Sequence, residues 1–333
     1  MPASSPSVLT ENLQGRALRF MRALAVAAAC IAASLAQAQI HRVPISGGAD
    51  ATTLQHIADG LSTLLSRALE GVQVPYTASA GSQENLRRLA GDQPGFAIVY
   101  AGDLFRAAAG GAPEAPAALA VTHLFGVTGH LLTLRDTPVD QVADLTGKTI
   151  SIGPAGSATA NAARHYFEAV NLWGRFDAVF LPASQGANAL VEGRVDALWL
   201  FEEMPSVTVI QLAGEAPLRV LPLLDAAKLE SLSNAHPYYT PTTIPEGMYV
   251  GVDNPVPSFQ EAALWVASAD VPADIVTDSL QTLYSEPGLS FMHTVSESAR
   301  ELNRDNGLRG VVTRLHPGAE RFWHGAEAPA GEN

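Results

Sequence analysis

The feature that most constrains this chain is an alternation of short, wholly apolar runs with segments that carry apolar residues at helical spacing. Phe96-Ala97-Ile98-Val99-Tyr100 and Ala197-Leu198-Trp199-Leu200-Phe201 have no polar face, so each reads as a strand buried on both sides. Leu54, Ile57, Ala58, Leu61, Leu64, Leu65 and Ala68 recur at three- and four-residue steps, one face of a helix. The order is strand 72–77, helix 82–89 and strand 96–100 in a first stretch. A second stretch repeats it: strand 149–153, helix 157–170, strand 178–181, helix 187–191 and strand 197–201. Strands buried on both faces and separated by helices predict parallel sheets covered by helices. Two such sheets suit a chain of 333 residues, which predicts a two-lobed α/β protein with a core in each lobe.

Segment 117–134 is mixed and strand-like and reads as the first crossing between the lobes. After the proline-rich stretch 236–257, the apolar segment 251–267 reads as the return to the first lobe. Helices are expected near 273–284 and 290–303, and a last one begins at Pro317, a residue suited to the first helical position. The lobes are thereby expected at 39–128 with 258–325, and at 129–257. Residues 326–333, rich in Ala, Gly, Pro and Glu, are expected to form a disordered tail.

The first forty residues do not read as fold. Arg16, Arg19 and Arg22 precede the apolar run Ala23–Leu35, and Ala36-Gln37-Ala38 follows it. This is the order of a cleaved secretory signal peptide, here 1–38. The run is too short to cross a bilayer, which takes roughly 20 apolar residues. The expectation is an exported protein that begins at Gln39 and is not inserted in the membrane. Cleavage would also remove Cys30, the single cysteine, so a disulfide scaffold and a cysteine-built metal site are excluded.

Charge narrows the partners further. The chain carries 20 basic and 33 acidic side chains, a net charge of −13, and its only lysines are Lys148 and Lys228. That balance speaks against nucleic acid or an anionic membrane surface as partner. The nine histidines show neither H-E-x-x-H nor another close metal-ligand spacing, so no metal site is expected. No G-x-S-x-G elbow occurs. Gly147-Lys148-Thr149 lacks the earlier glycine of a phosphate-binding loop, with Val142 in its place. No catalytic constellation stands out, and no cofactor is expected.

Two segments match one another. Tyr76-Thr77-Ala78-Ser79-Ala80-Gly81-Ser82 and Ser151-Ile152-Gly153-Pro154-Ala155-Gly156-Ser157 both run from a strand through Ala-Gly-Ser into a helix. Glycine there lets a ligand approach the backbone, and the unpaired N–H groups of the helix favour an anionic group. Helix capping alone would also explain Ser82 and Ser157. A matched pair at strand ends, where open α/β sheets bind ligands, favours a site. Gly47-Gly48 is a third such turn. Glu202-Glu203 ends a buried strand, where the pair either binds an amine or cation or faces water.

Five ordered blocks carry a resemblance. They are Ala80-Gly81-Ser82-Gln83-Glu84-Asn85-Leu86; Leu145–Lys148 continuing to Gly153–Ser157; Ala189-Leu190-Val191-Glu192-Gly193-Arg194-Val195-Asp196-Ala197; Thr243-Ile244-Pro245-Glu246-Gly247-Met248-Tyr249; and Leu315-His316-Pro317-Gly318-Ala319-Glu320-Arg321. With these blocks the chain, from about Ile40 to Gly325, resembles the TAXI family of solute-binding proteins, the periplasmic receptors of tripartite TRAP transporters. The resemblance implies a periplasmic-binding-protein-like fold, a monomer that closes on a small organic acid or amino acid of the glutamate-like class. It also implies delivery of that ligand to the membrane permease subunits of the transporter. A sensor for a membrane signalling partner is the alternative, and a periplasmic enzyme on the same scaffold a further one. The expected ligand-binding set is Gly48, Asp50, Thr52, Ser79, Gly81, Ser82, Tyr100, Gly156, Ser157, Thr159, Glu202 and Glu203. Glu203 stands where the family tends to carry glycine beside the proline, here Pro205, and is expected to disfavour a second carboxylate on the ligand.

Overall fold

The computed structural model describes residues 40–91, 95–109 and 118–325; the signal-peptide and C-terminal-tail expectations lie outside them. The first stretch gives β1 (Ile45–Ser46), α1 (Thr53–Ala68), β2 (Tyr76–Thr77), α2 (Ser82–Leu89), β3 (Phe96–Tyr100) and α3 (Ala101–Ala109). The long strand β4 (Ala118–Leu134) follows, then β5 (Thr149–Ser151), α4 (Ala158–Ala169), β6 (Asp177–Val179), α5 (Ala183–Val191) and β7 (Ala197–Glu203). Next come α6 (Val207–Glu215), β8 (Leu218–Val220), α7 (Ala226–Ala235), β9 (Tyr239–Ile244) and a second long strand, β10 (Val256–Ser268). The chain ends in α8 (Ala273–Leu283), α9 (Glu286–Val295) and α10 (Pro317–His324).

The two expected sheets are joined into one ten-stranded sheet, in the order β2-β1-β3-β10-β4-β7-β5-β6, with β8 paired to β4 and β9 to β10. β1 runs parallel to β2 and β3, and β5 runs parallel to β6 and β7. Between these parallel arrays lie β4 and β10, antiparallel to each other and to their outer neighbours. The first half of β4 pairs with β10, and its second half, from Val127 on, pairs with β7. β10 is shared in the opposite sense: Val256–Glu261 pairs with β9 and Ala263–Ala267 with β3. The architecture is therefore a two-lobed α/β fold whose halves share two continuous strands.

Local chemistry explains most departures from the expected elements. Pro75 offers no backbone N–H and divides the expected strand 72–77 into Val72–Gln73 and Tyr76–Thr77. Ser285 starts α9 early, its hydroxyl accepting from Gly288 N, and the helix ends at Val295 rather than running from 290 to 303. Helices α3, α6 and α7 were not anticipated. α3 follows β3 directly, and α6 and α7 begin at Ser206 and Asp225, whose side chains cap them.

Aromatic rings fill the second half. Tyr166 of α4 stacks on Trp199 of β7 and on Phe259 of β10, with centroids 5.5 Å apart in both pairs. All three rings are buried. Their polar atoms are satisfied: Tyr166 Oη donates to Leu223 O and Trp199 Nε1 to Thr159 O, as buried polar groups require. Gly129 of β4 lies between these rings, where a Cβ would stand 3.2 Å from Trp199 and 3.3 Å from Phe259. Because Phe259 touches rings from α4, β7 and β9 at once, Phe259→Ala should cost about 3–5 kcal/mol. Urea unfolding checks this; a loss under 1 kcal/mol would contradict it.

Candidate functional site

Two adjoining cavities open where the strands of the two halves end. The larger, about 420 Å³, is lined by Gly48, Ala49 and Thr52, by Ala80 to Glu84, and by Arg87, Tyr100, Asp103 and Ala158. The smaller, about 100 Å³, shares Gln83, Tyr100, Asp103 and Ala158 with it and adds Arg106, Gly156, Asn161, His165, Tyr239 and Glu261. Both cavities thus draw residues from each half.

The walls are held by specific hydrogen bonds. Asn85, fully buried, donates from Nδ2 to Gly47 O at 2.6 Å and to Ile98 O at 2.8 Å, tying α2 to the ends of β1 and β3. Ser79 Oγ donates to Gly47 O and accepts from Gly81 N, joining the two glycine turns. A Cβ on Gly48 would stand 2.5 Å from Thr52 Oγ1, so a side chain there would displace the hydroxyl that caps α1. Gly81, at φ 115°, occupies a conformation that only glycine adopts readily. Thr52 caps α1 and donates to Ala49 O. By contrast, α2 has no side-chain cap among the described residues. Its first-turn N–H groups, the start of α1 and Arg87 are the groups of the larger cavity that favour an anion; the Glu84 carboxylate, accepting from Ala80 N at 2.7 Å, and Asp103 share its lining.

Of the residues singled out from sequence, Gly48, Thr52, Gly81, Ser82 and Tyr100 line the larger cavity, and Gly156 and Tyr100 the smaller. Asp50, Ser79, Ser157, Thr159, Glu202 and Glu203 line neither. Asp50 is exposed on the turn before α1. Ser157 Oγ caps α4, accepting from Ala160 N. Thr159 packs its methyl against Gly153. Glu202 accepts from Ser206 Oγ at 2.6 Å and Thr208 Oγ1 at 3.2 Å. Glu203 lies on the other face of β7: its register partner Val127 also pairs with Glu261. Along that face Phe201 and Phe259 give way, two residues on, to Glu203 and Glu261. The aromatic core thereby ends in carboxylates beside Tyr100, whose hydroxyl is raised by burial and by Glu203, Glu261 and Asp103.

Sequence reading missed the groups supplied by α3, α4 and the segment entering β9. Asp103 and Arg106, one helical turn apart, pair at 2.7 Å, and Arg106 donates to Tyr238 Oη at 3.3 Å. Tyr238 in turn meets His236 Nδ1 at 3.1 Å. His236 stacks on His165, centroids 4.0 Å apart, and His165 Nδ1 meets Tyr239 Oη at 3.0 Å. The available signals were Asp103-x-x-Arg106 directly after a buried strand and Glu261 at the head of an apolar one. Burial, then the neighbouring His236 and Arg106, push His165 down to about 4. Burial also lowers His236.

The fold and the site together define a class: a two-lobed α/β scaffold with two adjoining cavities lined from both halves. The chain belongs to the NMT1-like family, whose model matches residues 45–326. Among solved structures, it is similar to a TctC solute-binding protein from Polaromonas, at 13% identity, covering 80% of this chain and 89% of that one, TM-score 0.50. Rpa4515 of R. palustris, solved with adipate, is 19% identical over 80% and 92% of the two chains, TM-score 0.47. The aliphatic sulphonate binding protein SsuA of Escherichia coli is 14% identical over 77% and 78%, TM-score 0.46.

The lowered imidazoles bear on stability. The unfolded chain takes up protons near pH 6.5, whereas the folded chain resists until His165 is forced at about 4. The contribution of His165 to stability should therefore fall as pH drops from about 6.5 towards 4. In His165→Gln the fall in the urea midpoint over that interval should be smaller; an unchanged fall would contradict the assignment.

Proposed function

We propose that this chain is the extracytoplasmic solute-binding receptor of a TRAP-type transporter, of the TAXI kind. It takes a small organic acid or amino acid between its lobes and hands it to the membrane permease. The observation that carries the reading is the pair of joined cavities, with walls from both halves, at the carboxyl ends of parallel strands. Open α/β sheets bind ligands at such places. Membership of the NMT1-like family and the fold shared with the TctC solute-binding protein support it. The export signal read at 1–38 supports a periplasmic location.

The lobes in this reading are 39–128 with 258–325, and 129–257. β4 changes partners near Val127 and β10 near Glu261, so rotation there would close one half on the other in the manner of hinge-bending receptors. An acidic group of the ligand would sit in the larger cavity against the start of α2 and Arg87. Gly48, Thr52, Gly81, Ser82, Tyr100 and Gly156 are the contacts expected from the sequence that line the cavities. Glu203, on the same sheet face as Glu261 though outside the lining of either cavity, would oppose a second carboxylate brought near it on closure: two like charges 4 Å apart cost roughly 4 kcal/mol at an effective dielectric near 20.

Native mass spectrometry of the periplasmic protein should show a retained small molecule. X-ray scattering should show a smaller radius of gyration on saturation with it. In calorimetry, Glu203→Gly should bind 2-oxoglutarate at least tenfold more tightly than the parent. A protein that retains nothing, binds no acid or amino acid and keeps one scattering profile would overturn the receptor reading.

A further inference from the structure

One buried carboxyl is left with work to do once the fold is accounted for. Glu261 is 8% exposed. Its Oε1 accepts from Gly102 N at 2.7 Å, at the start of α3. Its second oxygen has no hydrogen-bond partner among the described residues, and the side chain lines the smaller cavity. The fit against α3 is close, since a Cβ on Gly102 would stand 2.7 Å from Oε1 and from the Tyr238 ring.

The charges around it leave the cavity acidic. Asp103 and Arg106 of α3 pair with one another at 2.7 Å. His165 of α4, held down to about 4, is neutral at neutral pH. Tyr100, Tyr238 and Tyr239, from β3 and the entry to β9, all have raised hydroxyls and stay neutral. Glu203 joins Glu261 through Val127 on the same face. Glu203 lies outside the lining, so the uncompensated group facing this small space is the Glu261 carboxyl, the complement of a cation small enough for about 100 Å³.

We propose, building on the receptor reading above, that Glu261 reads an ammonium group: the ligand's amine enters the smaller cavity already protonated, Glu261 pairs with it as a carboxylate, and the carboxyl proton leaves to solvent. Burial gives the step its direction. It pushes the empty-site Glu261 up to about 7 against the lowering by Gly102 N–H and Arg106, because an unpaired buried carboxylate is costly. An ammonium placed against it removes that cost. Binding is then linked to proton release, with the linkage strongest below about pH 7.

The test uses the mature full chain and three ligand pairs that differ at the amine: L-glutamate and 2-oxoglutarate, L-leucine and 4-methyl-2-oxopentanoate, 4-aminobutyrate and butyrate. Each amine stays protonated from about pH 5 to about pH 8.5. Calorimetry in phosphate and in Tris, buffers with different heats of ionisation, reads protons exchanged. The amino member should win in the pair that binds, releasing nearly one proton at about pH 6 and almost none at about pH 8.5. Its affinity should weaken about a hundredfold from about pH 8 to about pH 5. Glu261→Gln keeps an acceptor for Gly102 N; it should weaken the amino member at least tenfold and abolish proton release. Should that variant fail to fold, the proton count of the parent protein decides alone. Preference for the oxo or amine-free member, no proton release, or proton uptake would overturn the ammonium role and leave the receptor reading standing. Failure of every compound, with nothing retained from the periplasm, would overturn both.

Discussion

The pairing of β4 with β10 is the constraint on which the rest of the molecule depends. Two strands of 17 and 13 residues run through both halves, and a buried strand must satisfy its backbone groups along its whole length. β4 does so by exchanging β10 for β7 near Val127, and β10 by exchanging β9 for β3 near Glu261. That exchange fixes which residues share a face. It brings Glu203 of one strand and Glu261 of another to one row, and it puts Glu202 on the opposite side, where Ser206 and Thr208 hold it. A one-residue slip would reverse these assignments.

The same register explains how an apolar core comes to end in a polar cavity. Phe201 and Phe259 pack with Trp199, Tyr166 and Tyr239, and the next residues on that face are the two glutamates. Carboxylates so close to a packed aromatic layer are poorly solvated, which raises both Glu261 and the Tyr100 hydroxyl. On the far side of Tyr100, the start of α2 is left without a side-chain cap beside Arg87. The larger cavity therefore presents helix N–H groups and Arg87 beside Glu84 and Asp103, and the smaller presents Glu261.

Much of this was legible in the sequence, for identifiable reasons. Runs such as Phe96–Tyr100 and Ala197–Phe201 are too apolar to be anything but buried strands, and the Ala-Gly-Ser turns mark strand-to-helix junctions at which ligands can approach backbone. The strand-like stretch 117–134 forms one long strand, Ala118–Leu134, which changes partners along its length. What escaped notice were contacts made over long sequence separations. Nothing local in Tyr238, His236 or His165 shows that they meet one another and Arg106. Glu261 is a lone acid at the head of an apolar run until the fold sets it against the start of α3. Ser157 and Glu202 illustrate the opposite case: both read as site residues locally, and both are engaged in starting a helix.

The central claim is that a ligand held between the two halves draws them together. Cys30 is the one native cysteine and falls within the expected leader, so a mature chain carrying Ala90→Cys and Ala155→Cys would take two spin labels and no others. Both positions are exposed, one at the end of α2 and one on the turn before α4, outside the lining of either cavity. Pulsed electron–electron resonance should show a broad distance distribution in the empty protein. A shorter, narrower one should appear once the retained ligand is restored. An unchanged distribution with the ligand demonstrably bound would contradict the account.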